Sequence, residues 1–237
     1  MVQLISGLRA ASVRANLEAL EAELAAAVAR SPVGRPGAQA PVQVLAATKY
    51  VGVEELPALA AGGIRLVGEN RAQDLERKVA AHGDLFEWDF IGQLQSRRVR
   101  LIVPHVRLIH SVASESALRE LGRHGDVARD GLRILVEVNV AGEQGKAGVA
   151  PAQLDAFIER SPLPVAGLMT MPPLAADPEA SRPWFAALRR LARERGLEHL
   201  SMGTSQDYLV AAEEGATIVR IGTRLYHDRP AAGVTSD

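Results

Sequence analysis

Short apolar runs alternate with helix-patterned stretches from one end of this chain to the other, and that alternation limits its fold more than any other feature. The runs lie at 42–49, 65–70, 88–93, 108–113, 133–140, 165–171, 200–205 and 218–223. Several, such as Val44-Leu45-Ala46-Ala47, are almost wholly apolar, as expected of parallel strands covered on both faces. Between them, 53–61, 71–81, 96–103, 115–124, 151–160, 179–195 and 206–214 read as helices, several closed by glycine (Gly62-Gly63, Gly125, Gly196, Gly215). A leading amphipathic helix is predicted over 4–30, with Leu8, Val13, Leu17, Leu20 and Leu24 near helical spacing; 31–41, rich in Pro and Gly, reads as a loop. Strands joined by crossover helices over about 200 residues predict a closed (β/α)8 barrel, with an open doubly wound sheet as the competing architecture. One domain is expected over 1–228 and a disordered tail over 229–237.

Composition removes several function classes. The 237 residues include no cysteine, which excludes disulfides, thiolate metal sites and a cysteine nucleophile. The six histidines show no metal-ligand spacing, so no metal is expected. Lys plus Arg is 27 against 28 Asp plus Glu, a balance that points to neither nucleic acid nor an anionic membrane as partner. Residues 1–10 lack the apolar core of a signal peptide, and no run approaches the roughly 20 apolar residues of a membrane span. A cytoplasmic location is the expectation.

In a barrel the strand C-termini mark the functional face. Lys49 ends the first run, where a desolvated ammonium would lose its proton more easily and could attack an aldehyde; the alternative is a lysine that snorkels to solvent. Ser201-Met202-Gly203-Thr204-Ser205 and Arg220-Ile221-Gly222-Thr223 end runs seven and eight, where many barrels bind phosphate. A helix starting near Ser205 would add its dipole, although Ser, Thr and Gly also serve ordinary caps and turns. Arg220, inside an apolar run, needs an acceptor: Glu69 or a ligand. The glycine-rich segment 139–148, with Glu143 and Lys146, reads by itself as a solvated loop.

Taken in order, these segments resemble the pyridoxal phosphate homeostasis proteins, barrel-only relatives of bacterial alanine racemase. The resemblance is carried by Ala46-Ala47-Thr48-Lys49, Gly68-Glu69-Asn70, Phe90-Ile91-Gly92-Gln93-Leu94-Gln95, 139–148, Gly167-Leu168-Met169-Thr170-Met171, Leu200-Ser201-Met202-Gly203 with Ser205 and Asp207, and Val219-Arg220-Ile221-Gly222-Thr223. It spans about 4–226. It implies a fold-type III barrel without the second β domain, binding pyridoxal 5'-phosphate. Lys49 would form the Schiff base, Asn70 line the cofactor, and Ser205, Gly222 and Thr223 hold the phosphate with Ser201 and Gly203 beside them. Arg220 would face the pyridine nitrogen and Lys146 make a secondary contact. Three positions depart from the family pattern. Asp89 stands after Trp88 where His is usual, Arg97 and Arg98 stand near the place of a lysine, and Tyr226-His227 replaces a glycine. The first two departures are expected on the strand-three surface.

An arginine at the ring nitrogen can only donate, which leaves the ring a weaker electron sink than a pyridinium. The racemases' second-domain tyrosine is not expected here, because the chain ends soon after the barrel. The resemblance therefore implies a carrier or buffer of the cofactor rather than an enzyme, with apo pyridoxal enzymes as recipients and a monomeric state. A weakly active amino-acid racemase is the alternative. A cofactor-free barrel aldolase acting through Lys49 is a further one.

Overall fold

A computed structural model describes residues 4–33 and 40–226. After helix α1 (Ala10–Arg30), strands and helices alternate: β1 (Gln43–Ala47), α2 (Leu56–Ala61), β2 (Leu66–Glu69), α3 (Ala72–His82), β3 (Glu87–Phe90), α4 (Val99–Ile102), β4 (Leu108–Val112) and α5 (Glu115–Arg123). The second half continues with β5 (Arg133–Glu137), α6 (Leu154–Glu159), β6 (Val165–Met169), α7 (Arg182–Glu194), β7 (His199–Thr204), α8 (Tyr208–Glu213), β8 (Ile218–Ile221) and α9 (Thr223–Tyr226). Each strand pairs in parallel with its neighbours in chain order, and β1 also pairs with β8. That last pairing closes the barrel and rules out the open sheet.

The nearly continuous apolar runs follow from burial on both faces. Leu45, Leu108, Leu135, Ala166, Met169 and Ile218 point inward and fill the barrel. Ala46, Val67, Ile109, Ile134, Val136, Leu168, Val219 and Ile221 belong to the larger core under the helices. Each large side chain so buried contributes about 1.5–3 kcal/mol relative to exposure. The interior also holds polar groups: Asp89, His110, Ser201 and Arg220 are buried.

The structure trims the sequence-based boundaries for identifiable reasons. Helix α1 begins at Ala10, not at residue 4. Gly7 takes φ +73°, Ile5 bridges Val51, and the Glu55 carboxylate accepts the Gly7 and Leu8 N–H groups at 2.7 and 2.8 Å. The runs overshoot the strands mainly at their C-terminal ends. β1 stops at Ala47, β6 at Met169 and β8 at Ile221, because the next residues leave the ladder to form the mouth. The tail expected over 229–237 lies outside the described residues, as does His227.

Candidate cofactor-binding site

Lys49 sits at the mouth, but not in the environment expected of it. It follows the inward series Leu45 and Ala47 yet lies on the turn after β1, exposed, with Nζ 4.5 Å from the centre of the Tyr50 ring. The desolvated lysine predicted from the apolar run is therefore corrected. The strand ends two residues earlier, and the side chain stands in the open mouth. Its backbone is well fixed: Val51 N–H donates to Thr48 O (2.9 Å), Ile5 N–H to Tyr50 O (2.7 Å), and Thr48 N–H to Gly68 O (2.9 Å).

β1, β8 and β7 are consecutive around the barrel, with Ala46 opposite Ile221 and Arg220 opposite Thr204. Lys49, Gly222 and Ser205 therefore share one sector of the rim. The Gly222 N–H donates to Ser205 Oγ at 3.3 Å, and exposed Thr223 opens α9. The first N–H groups of a helical turn have no partner within the helix. The helix expected to start near Ser205 starts at Tyr208. Asp207 takes the Thr204 N–H (2.8 Å) and the hydroxyls of Thr204 and Ser181 (3.1 and 2.9 Å), which ties the turn down.

Two residues expected beside the phosphate have partners within the fold. Ser201 is fully buried inside the barrel, where its Oγ accepts from Arg220 and lies 2.9 Å from His110 Nδ1. Gly203, at φ +90°, allows close packing: a Cβ there would come within 2.6 Å of Ala211 Cβ and 3.0 Å of Tyr208 Cα. The Ser201 side chain faces the interior, and Gly203 packs against α8.

Arg220 is buried and directed to the mouth from below. Nη1 donates to Ser201 O (2.9 Å) and Ser201 Oγ (2.6 Å), and Nη2 to Thr170 O (3.0 Å) and Met171 Sδ (2.8 Å). Glu69, the protein partner considered for it, is engaged elsewhere, and no ion pair to Arg220 occurs among the described residues. Burial lowers the Arg220 pKa to about 10, with Asp207 and Glu137 opposing from a distance, so the guanidinium stays charged at neutral pH. Burial likewise raises the pKa of Glu137, against the pull of Arg220 and Lys146.

Lys78 is the residue that sequence reasoning missed. Its Nζ lies 2.5 Å from Glu69 Oε2 and donates to Thr48 O at 2.7 Å, all buried. Glu69 Oε1 in turn accepts the N–H groups of Asn70 (2.7 Å) and Arg71 (3.3 Å). One ion pair thus anchors the turn bearing Lys49 and the loop bearing Asn70. The available signal was a lysine three residues after Leu75 on the apolar face of the predicted helix. Gly92 completes this corner, since a Cβ there would fall 2.0 Å from Asn70 O.

The remaining expected residues are placed as follows. Lys146 lies on the loop after β5, 2.5 Å from Glu143 Oε1, and its charge is felt at Glu137 in the mouth. Asn139 clasps that loop through Glu143 O (2.9 Å) and Glu143 N (3.1 Å). Asp89 is fully buried inside the barrel, not on the strand-three surface where it was expected, while Arg97 is exposed. Tyr226 is buried, and its hydroxyl donates to Ala47 O at 3.0 Å.

The alanine racemase N-terminal domain family matches residues 15–230. The pyridoxal phosphate homeostasis protein of Aquifex aeolicus is 42% identical over 201 residues, covering 79% of this chain and 87% of that protein. This chain belongs to the pyridoxal phosphate homeostasis protein family. Another member, from Vibrio cholerae, is 35% identical over 232 residues, 92% of this chain and 97% of that one. The structure of PipY from Synechococcus elongatus, solved with PLP bound, superposes with a TM-score of 0.73 at 29% identity, covering 91% of this chain and all of PipY.

The family's cofactor can be tested against the residues present. Asn70 Oδ1 is buried and has no hydrogen-bond partner among the described residues, an acceptor suited to a ligand donor. The rim of β7 and β8 offers a hydroxyl and backbone N–H groups with no Cβ at Gly222, which suits an anion. One Arg220 donor rests on a thioether, a weak acceptor that a ring nitrogen would outcompete. Amine, anion-binding rim and buried donor fit a pyridoxal phosphate.

Proposed function

We propose that this chain holds pyridoxal 5'-phosphate as a Schiff base on Lys49 and serves intracellular homeostasis of that cofactor as a carrier or buffer. The reading rests on the sector formed by β1, β8 and β7, where the Lys49 amine, the Ser205–Gly222–Thr223 rim and the Arg220 donor line one opening. Lys49 would supply the amine that holds the cofactor's aldehyde carbon. Ser205 Oγ and the N–H groups of Gly222 and Thr223 hold the phosphate, Asn70 lines the ring's edge, and Lys146 adds positive charge from the β5 loop. The cofactor would supply the electrophilic aldehyde carbon for that bond.

Arg220 favours holding over turnover. It remains protonated and donates, so it keeps a proton off the ring nitrogen and denies the ring the electron-sink character that carbanion chemistry needs. Recipients under this reading are apo pyridoxal enzymes, reached from a monomer in the cytoplasm. Two observations are compatible with it. Among the described residues no helix is long and apolar enough to cross a membrane. Among the described residues the exposed large apolar side chains, Leu4, Leu85, Val127, Met171 and Leu174, are scattered along the chain, with Met171 and Leu174 on the loop after β6.

Absorbance of purified protein before and after addition of pyridoxal phosphate tests the reading. A near-visible band should appear in the wild type and vanish in Lys49→Ala. A band that survives that substitution rejects Lys49 as the attachment point. Turnover of D- or L-amino acids at ordinary enzyme rates, with kcat of about 1–10³ per second, would favour a racemase instead.

A further inference from the structure

A line of buried polar side chains runs down the barrel behind Arg220, and holding the cofactor as proposed above does not call on it. Ser201 Oγ, 2.6 Å from Arg220 Nη1, lies 2.9 Å from His110 Nδ1. His110 Nε2 lies 3.0 Å from Asp89 Oδ2, which also accepts from Arg107 Nη2 at 3.1 Å. Arg107 Nε is 3.0 Å from Asp89 Oδ1, an ion-pair contact without hydrogen-bond alignment. Ser201, His110 and Asp89 are each 0% exposed and come from three different strands.

The direction of this line follows from donor chemistry. Arg220 can only donate, so Ser201 Oγ accepts from it. The serine hydroxyl then gives its own proton to His110 Nδ1. His110 must carry its proton on Nε2 and donate it to Asp89, which as a carboxylate only accepts. Burial lowers the His110 pKa despite Asp89, in keeping with this neutral tautomer. Each member therefore has one role, and Asp89 sets the sense of the whole line. With Asn at that position, the amide N–H₂ would face either His110 Nε2 or the Arg107 donors. The first choice reverses the tautomer and leaves the Ser201 proton without an acceptor; the second sets donor against donor.

We propose that Asp89, His110 and Ser201 act as positioning residues for Arg220, a one-way hydrogen-bond relay that fixes its guanidinium as an oriented donor to the ring nitrogen of the bound cofactor. The inference rests on the cofactor reading of the mouth. Without the relay, Arg220 keeps its backbone acceptors, Ser201 O and Thr170 O, but loses the bond that sets its tilt. The ring nitrogen would then meet an imperfect donor and become open to protonation.

The test uses the full chain, the variants Asp89→Asn and Ser201→Ala, and three readouts. Nitrogen-15 NMR of histidine-labelled, ligand-free protein should show His110 protonated on Nε2 in the wild type and altered in both variants. Release of pyridoxal phosphate to a scavenging apoenzyme should accelerate roughly tenfold in each variant, a factor equivalent to about 1.4 kcal/mol. The absorbance of the bound cofactor, flat across neutral pH in the wild type, should titrate in the variants. The charged and titratable groups facing this line are Asp89 and Arg107 at the β3–β4 end, Glu137 on β5, His199 on β7, and Asp207 and Arg220 beside the mouth. The three readouts separate positioning from simple filling of the barrel, because lost packing alone would lower stability without introducing a cofactor titration.

Wild-type tautomer, release rate and pH profile retained in both variants would overturn the relay. Should Asp89→Asn fail to fold, Ser201→Ala decides, since it removes one oxygen and leaves Asp89 paired with Arg107. Failure of the wild type to bind pyridoxal phosphate at all would refute the cofactor reading instead, and the ligand-free NMR would still judge the hydrogen-bond line by itself.

Discussion

Glu69 is fully buried, and Lys78 beneath the mouth is the cation that makes this tolerable. Removing one partner of a buried pair strands the other, at a cost of about 3–5 kcal/mol. Lys78→Met should therefore lower unfolding stability by that amount in urea titration and also loosen the turn bearing Lys49. Lys49 itself is exposed, so Lys49→Ala should change stability by less than about 0.5 kcal/mol while losing the cofactor band. His110 brings a pH dependence of known sign. Its folded pKa lies below the ordinary 6.5, chiefly because burial disfavours the cation, and His199 is shifted the same way. The unfolded chain thus binds more protons below pH 6.5. This contribution is fully present above pH 6.5 and is lost as pH falls toward the lowered folded values. Denaturation midpoints measured across that range should drop on acidification, and the slope should be shallower in His110→Gln.

At the level of single elements, local chemistry and packing can be separated. Helix α5 is capped by Ser114, whose side chain accepts the Ala117 N–H at 3.2 Å. Ser114→Ala should cost about 1 kcal/mol without touching the mouth. The β7–α8 connection depends on Gly203, because its φ of +90° and the 2.6 Å approach of a would-be Cβ to Ala211 both oppose a side chain. Gly203→Ala should cost at least ~2 kcal/mol and displace Ser205, seen as weaker binding of the cofactor as well as a lower melting temperature. In the sequence both positions look like the same kind of small-residue turn signal. One proves to be a cap and the other a close contact between a strand and a helix.

For the whole molecule, a ligand seated across three strand ends should stabilise the entire barrel. At a pyridoxal phosphate concentration about 100-fold above the dissociation constant, linkage gives roughly 2.7 kcal/mol, or a melting shift of about 5–10 °C for a chain of this size. Differential scanning calorimetry should show this shift in the wild type and its loss in Lys49→Ala. Closure by the β1–β8 pairing brings the first and last strands together, and with them the Lys49 amine and the Gly222–Thr223 rim. Tyr226 reinforces the same seam through Ala47 O.

The barrel was legible in the sequence because burial on both faces writes the strands as short, mostly apolar runs alternating with helix-patterned stretches, and local pattern is enough to read it. The rim positions of Lys49, Asn70, Ser205, Gly222 and Thr223 were legible for a related reason: strand C-termini can be counted along the chain. The surroundings of those residues were not. Whether Lys49 is buried depends on where the ladder stops, and whether Ser201 faces a phosphate or an arginine depends on which strands lie beside it. The Lys78–Glu69 pair needs α3 to fold back on β2, and the Asp89–His110–Ser201–Arg220 line joins four strands, with His110 and Ser201 far apart in sequence. Periodicity determined the scaffold and its working end. Tertiary structure alone decided the partners, because a polar side chain's role is set by what burial leaves within about 3 Å of it.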